Sequence, residues 1–195
     1  MLQELLPSGD LRSQGVEAIA YGSGPGSFTG LRIAASAVQG LAFANELPAI
    51  GVSTLACQVQ GALRLGLVQS GDAVLSMLDA RINEVYWALF GIDEGLVQQR
   101  ERTRVCRPAE VIIDRSIERL HGVGAGFCYR QEMSESVQLR LLSHSVDVLP
   151  SARDLIPLAL EKYSRGETQR AKEVLPVYIR EEVSWKKLAE QGKPG

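Results

Sequence analysis

The most constraining stretch of this chain is Gly22-Ser23-Gly24-Pro25-Gly26-Ser27, set between the apolar run VEAIAY at residues 16–21 and a long segment of helical periodicity. Glycines on both sides of a proline end a strand and force a tight turn, so the order strand, turn, helix is fixed here. The helix read over residues 27–45 carries one charge, Arg32, before Glu46. Along it Gly30, Ile33, Ala37, Gly40 and Ala44 recur at alternating spacings of three and four, and four of those five are small. Such a stripe lets another helix backbone approach closely. A second apolar face, Leu31, Ala34, Ala35, Val38, Leu41 and Ala42, also needs cover, so the helix is expected to be buried nearly all round.

Other elements follow from periodicity. Residues 1–6 read as the end of an amphipathic helix stopped by Pro7. PAIGV at residues 48–52 is a strand, and Ser53 is the N-cap of a helix running to about Leu63. Residues 73–79 and 84–90 are β-rich runs joined by Ala80-Arg81-Ile82-Asn83, and residues 96–105 form a third run with polar alternation, which predicts an antiparallel meander. Pro108 is expected to open a helix to about Leu120, followed by a strand at residues 121–125. Ser151 and Asp154 form a capping box ahead of Leu155, Ile156, Leu158, Ala159 and Leu160, with Gly166 as the C′ residue. The last stretch starts extended (PVYIR) and ends in a charged tail. Strand, turn and helix first, then a meander and more helix, point to two α/β lobes joined near residues 64–71: a first lobe over residues 1–65, a second over 66–170 and a C-terminal extension over 171–195. A single mixed-sheet domain is the alternative.

Composition narrows the function. The 195 residues carry 21 Lys+Arg against 23 Asp+Glu, and 45% are hydrophobic, which excludes disordered and collagenous chains. The balance of −2 gives no overall footprint for a phosphate backbone, so nucleic-acid contact would be local or made through a partner. Cys57, Cys106 and Cys128 form no CxxC pair and point to reduced thiols in a cytoplasmic protein. Residues 1–10 lack an apolar core of the kind a secretory signal needs, and no apolar run reaches the roughly 18 residues of a membrane span.

The glycine-rich turn admits two readings. With Ser27 or Thr29 capping the helix, main-chain N–H groups at Gly24, Gly26 and Ser27 suit an anion, and a phosphate is the natural one. No Lys follows the glycines, so it is not a Walker loop, and Ser27 stands where a dinucleotide fingerprint has its third glycine. The other reading is a structural turn that launches a partner-facing helix. His121 and His144 stand apart without metal-ligand spacing, and no nucleophile elbow is present, so neither a metal nor a catalytic residue is assigned. Asp79, Arg81 and Glu84 gather at the tip of the expected hairpin beside Tyr86 and Trp87, either lining a cleft or forming a solvated turn. Arg180, Trp185, Lys186 and Lys187 put an aromatic among cations in the tail.

GxGPGSFTGLR at residues 22–32, ELPAIGVSTL at 46–55, LDARINEVYW at 78–87 and PVYIREEVSWKK at 176–187 together resemble the TsaB (YeaZ) family, bacterial proteins of tRNA threonylcarbamoyladenosine biosynthesis. The resemblance implies an α/β, actin-like (ASKHA) fold of two lobes and a non-catalytic scaffold. It implies a dimer with a TsaD-like catalytic paralogue, recruitment of a TsaE-like ATPase, and tRNA met indirectly through the complex, with no membrane involved. The modified atom is N6 of the adenosine beside the anticodon. A homodimer through the same helix is the other pairing it allows, with Ser27, Phe28, Thr29, Gly30, Ile33, Ala37, Gly40, Leu41 and Ala44 at the interface. The family normally begins with a nucleotide-type loop on a first strand, whereas this chain enters at MLQELLP. The first lobe is therefore expected to be incomplete at its N-terminus, with no cofactor and with ATP or ADP binding in doubt. The rival expectation is a nucleotide-binding enzyme of the actin-like ATPase superfamily using residues 24–29.

Overall fold

The computed structural model describes residue 4 and residues 9–179. Apart from Glu4, which is helical, the helix read over residues 1–6 lies outside the described residues, as do Arg180, Trp185, Lys186 and Lys187. Two sheets organise the rest. Strand β1 (Ile19–Gly24) pairs in parallel with β2 (Ala49–Ser53), and helix α1 (Phe28–Ala44) makes the crossover between them. Helix α2 (Thr54–Arg64) leads to a six-stranded mixed sheet of β3 (Ala73–Arg81), β4 (Glu84–Asp93), β5 (Leu96–Gln99), β6 (Arg104–Cys106), β7 (Leu120–Val123) and β8 (Leu141–Ser145). A single turn, α3 (Glu135–Gln138), precedes β8, and α4 (Ala152–Ser164) returns to pack on β1, β2 and α2.

The local chemistry explains most of these elements. Ser27 and Ser53 cap α1 and α2, their hydroxyls accepting from the N–H groups of Gly30 and Ala56 (both 3.4 Å). The β3–β4 hairpin turns through Ile82 and Asn83, and the left-handed φ values at Arg81, Ile82 and Asn83 match the twist of a tight hairpin. β5 and β6 both pair antiparallel with β4, so the expected third run of the meander is two short strands with an irregular link. β7 and β8 join in parallel on the far side of β3.

The six-stranded sheet is covered on both faces. Leu55, Val59 and Ala62 of α2 and Leu158 of α4 pack on one face, with Val74, Ala88 and Phe90. Leu75, Met77, Trp87 and Leu89 form the other with Val111, Ile113, Phe127 and Val137. Two polar pairings cross this core. Gln58 donates to the Val148 carbonyl (2.6 Å) and accepts from the Ser76 hydroxyl (2.8 Å), while the Arg64 guanidinium grips Asp154 at 2.6 and 3.0 Å, tying α2 to α4.

Several expectations are corrected. Pro108 opens only a 3-10 turn over Pro108–Glu110, because Val111 and Ile113 are buried while Ile112 is exposed, a period of two that keeps the backbone extended. Asp114 then accepts from the Ser116 N–H (2.7 Å) and makes a turn instead of a helix. The capping box at Ser151 and Asp154 does not form: Ser151 is the N-cap, but no side-chain bond closes, because the Asp154 carboxylate is buried against Arg64. β1 begins three residues later than expected and continues through Gly24, so the first two glycines of the motif belong to the strand.

Cys57 is buried and donates to the Ser151 carbonyl (3.2 Å). Burial, more than any other influence, lifts its pKa from 9.0 to about 11. The folded protein thus keeps this proton above the pH at which the unfolded chain releases it. Its contribution to stability is complete below pH 9 and is lost as pH rises to about 11. Thermal melts from pH 8 to 11 should show an alkaline decline that is shallower in Cys57→Ala than in the parent.

Candidate partner interface

The site is built on α1. Its inner face is short: Ala35 and Val38 are buried against Tyr21, Ala49 and Val174, and Ala42 is buried beyond them. The expectation that the helix is buried nearly all round is therefore not met among the described residues. Gly30, Ile33, Ala37, Gly40 and Ala44 are all exposed, Ile33 at 66%, and Phe28 and Phe43 beside them stand at 57% and 80%. Ser27 and Thr29 are exposed as well, while Leu41 is half-buried at the margin. One face packs inside the fold, and the small-residue stripe forms an open surface of about 25 Å along the 17-residue helix.

The beginning of this surface is held by a strap, residues 174–178. The Val177 N–H donates to the Ser23 carbonyl (2.8 Å), and the Gln39 side-chain amide donates to the Val174 carbonyl (2.8 Å). Tyr178 stacks obliquely on Phe28, with ring centroids 5.7 Å apart, and its hydroxyl accepts from Arg32 Nε (3.0 Å). The Arg32 guanidinium lies 3.8 Å from the Phe28 ring centroid. The single charge of the helix is thus folded onto an aromatic pair at one end, leaving the stripe from Ile33 to Ala44 without charge.

The turn itself is packed by the strap. Gly24 has φ +127°, and a Cβ there would sit 2.7 Å from the Val177 carbonyl oxygen. Gly26 faces Leu31, and the Ser27 hydroxyl caps the helix. The Gly24–Pro25 peptide is cis. Gly40 is different: an added Cβ meets nothing within 4 Å. No packing among the described residues requires glycine there, although glycine in a helix interior is destabilising by about 1 kcal/mol.

Elsewhere the predicted clusters stay local. Arg81 pairs with Asp79 at 3.6 Å at the hairpin tip, and nearby Tyr129 has its pKa raised chiefly by the Asp79 charge. Sequence reasoning missed a set of polar contacts: His121 Nδ1 lies 2.8 Å from the Ser143 hydroxyl and Nε2 lies 3.6 Å from Asp72, beside an open cavity of about 580 Å³ that Gln69, Arg119 and Leu142 also line. Among the described residues no group of three or more His, Cys, Asp or Glu side chains could hold a metal ion, and no helix is long and apolar enough to cross a membrane.

Comparison with known proteins bears on this geometry. The family model described as TsaD, tRNA N6-adenosine threonylcarbamoyltransferase, matches residues 1–181. The tRNA threonylcarbamoyladenosine biosynthesis protein TsaB of Escherichia coli is 38% identical over 192 residues, covering 96% of this chain and 81% of that protein. Its Haemophilus influenzae counterpart is 35% identical, with 96% and 80% covered. The solved structure of YeaZ from Pseudomonas aeruginosa superposes with a TM-score of 0.80 at 36% identity, covering 91% of this chain and 80% of that one. A second P. aeruginosa structure, described as an uncharacterized protein with similarity to peptidase YeaZ, gives 0.81 at 37%, with 92% and 81% covered. With such neighbours, the mixed α/β architecture is that of the actin-like class. The chain belongs to the TsaB (YeaZ) family of tRNA threonylcarbamoyladenosine biosynthesis proteins. "Peptidase" in the second description is a name given by similarity, and the curated relatives are named for biosynthesis instead.

Proposed function

We propose that this chain is a non-catalytic, cytoplasmic scaffold of the threonylcarbamoyladenosine machinery that pairs through α1 with a TsaD-like catalytic partner. The pair then recruits a TsaE-like ATPase and engages tRNA. The observation that carries this reading is the open, uncharged stripe Gly30, Ile33, Ala37, Gly40 and Ala44, four of its five residues small although at Gly40 no packing among the described residues asks for glycine. A helix interface with close backbone approach asks for those residues. Bulky Phe28, Ile33 and Phe43 on the same helix supply apolar area to bury. On this reading the glycine-rich turn is structural and no nucleotide is required, since Gly24 is needed for the strap and Ser27 for the cap.

Size-exclusion chromatography of the purified chain with a TsaD-type protein tests the pairing. Co-elution as a one-to-one complex is expected, and separate elution at micromolar concentrations overturns it. A chain that self-associates tightly and ignores the TsaD-type protein would make the stripe a homodimer surface.

A further inference from the structure

We propose that Arg100, Arg102, Arg104 and Arg107, along the outer edge that β5, β6 and their flanking residues form beside β4, make a contact surface for the phosphate backbone of RNA. The inference rests on the assignment of the chain to tRNA modification and adds a direct contact on this chain's own surface. A quarter of the chain's 16 arginines fall within these eight residues, with Glu101 the only acid among them, in a protein whose overall balance is −2. The concentration is therefore local, the one form of nucleic-acid footprint that the overall charge leaves open.

The structure displays all four. β5 and β6 run along one side of β4, and their outer edge pairs with no further strand among the described residues. Arg100, Arg102, Arg104 and Arg107 are each exposed on that edge. Arg100 lies over Gly91, and Arg104 is held 5.6 Å from the Trp87 ring centroid and 3.9 Å from the Glu101 carboxylate, so two of the guanidiniums have a fixed seat. Arg102 makes no side-chain hydrogen bond or ion pair among the described residues and is free to take a ligand. Guanidinium groups pair with phosphate oxygens through two parallel hydrogen bonds, and a planar fork suits that geometry better than an ammonium does. Charge on a sheet edge also blocks edge-to-edge aggregation, a role that predicts no dependence on RNA.

Fluorescence anisotropy with labelled, unmodified tRNA across a salt series separates these roles, using the chain alone and the chain with its TsaD-type partner. Arg102 and Arg107 lie outside the core, so the Arg102→Ala/Arg107→Ala variant is expected to keep its melting temperature. Its tRNA affinity should fall about tenfold, and the slope of log K against log salt should flatten by about 1.5, given roughly 0.7–0.9 per phosphate contact. Equal affinity and slope in parent and variant, or no tRNA binding in either arm, overturns the proposal. Loss of co-elution with the TsaD-type protein while tRNA binding is unchanged also overturns it, because the edge would then serve an acidic protein surface. Ala37→Arg tests α1 separately: if it leaves both pairing and tRNA binding intact, the α1 reading fails and the arginine edge stands.

Discussion

Ala37→Arg is expected to weaken association with the TsaD-type partner by more than 100-fold while leaving the fold of the chain alone unchanged. Ala37 sits at the middle of the exposed stripe, one turn from Gly40 and one from Ile33. Ala37 is exposed, so in the free chain an arginine there projects into water. In a close helix pair the same guanidinium has to be buried without a counter-charge or excluded by separating the helices, and either outcome is worth several kcal/mol against the complex. Gly40→Leu supplies the complementary signature. With nothing within 4 Å of a Cβ at that position, replacing glycine removes its helix penalty and should raise the stability of the free chain by up to about 1 kcal/mol. The same side chain obstructs backbone approach and weakens the complex by about tenfold. A substitution that stabilises the subunit and weakens the assembly is what an interface glycine predicts. Titration calorimetry beside thermal melts reads both quantities. Unchanged affinity in both variants would remove α1 from the interface.

The opposite behaviour of the two faces of α1 marks where sequence reasoning stops. Spacing identified both the inner residues Ala35, Val38 and Ala42 and the outer ones Ile33, Ala37 and Gly40, but apolar periodicity carries no record of whether the cover comes from the same chain or another. The capped helices after Ser27 and Ser53 and the Ile82-Asn83 hairpin were legible because caps and tight turns are local chemistry. The Asp154 capping box failed for a non-local reason: Arg64, 90 positions away, holds the carboxylate more strongly than a helix N-terminus would. Tyr178 could be placed in an extended segment but not onto Phe28 and Arg32, 146 positions from the latter. Residues 111–113 were misread as helix since three β-branched residues in a row fit either period. The burial of Val111 and Ile113 around an exposed Ile112 decides it, and only the packed sheet shows that.

Gly24→Ala is expected to lower stability by about 3 kcal/mol, or roughly 6–12 °C in Tm for a chain of this size. Two effects combine. The φ of +127° at position 24 is strained for any residue with a Cβ, and that Cβ would stand 2.7 Å from the Val177 carbonyl oxygen. Val177 is anchored through its N–H to Ser23, and turning its carbonyl away would swing the next residue, Tyr178, whose ring and hydroxyl are held by Phe28 and Arg32. Relief requires the strap to lift, and that would carry Tyr178 off Phe28 and release Arg32 toward the stripe. The variant should therefore lose partner affinity along with stability, even at temperatures where it remains folded. A phosphate-binding turn predicts a different pattern. There the glycine would be needed for main-chain N–H groups to approach a ligand, so ATP or ADP would raise the parent's Tm and fail to raise the variant's. A stability loss that is the same with and without nucleotide, together with weaker pairing, assigns the glycine to the strap and makes the turn the foundation of the α1 surface. Ligand-dependent stabilisation of the parent alone would instead return the turn to nucleotide chemistry.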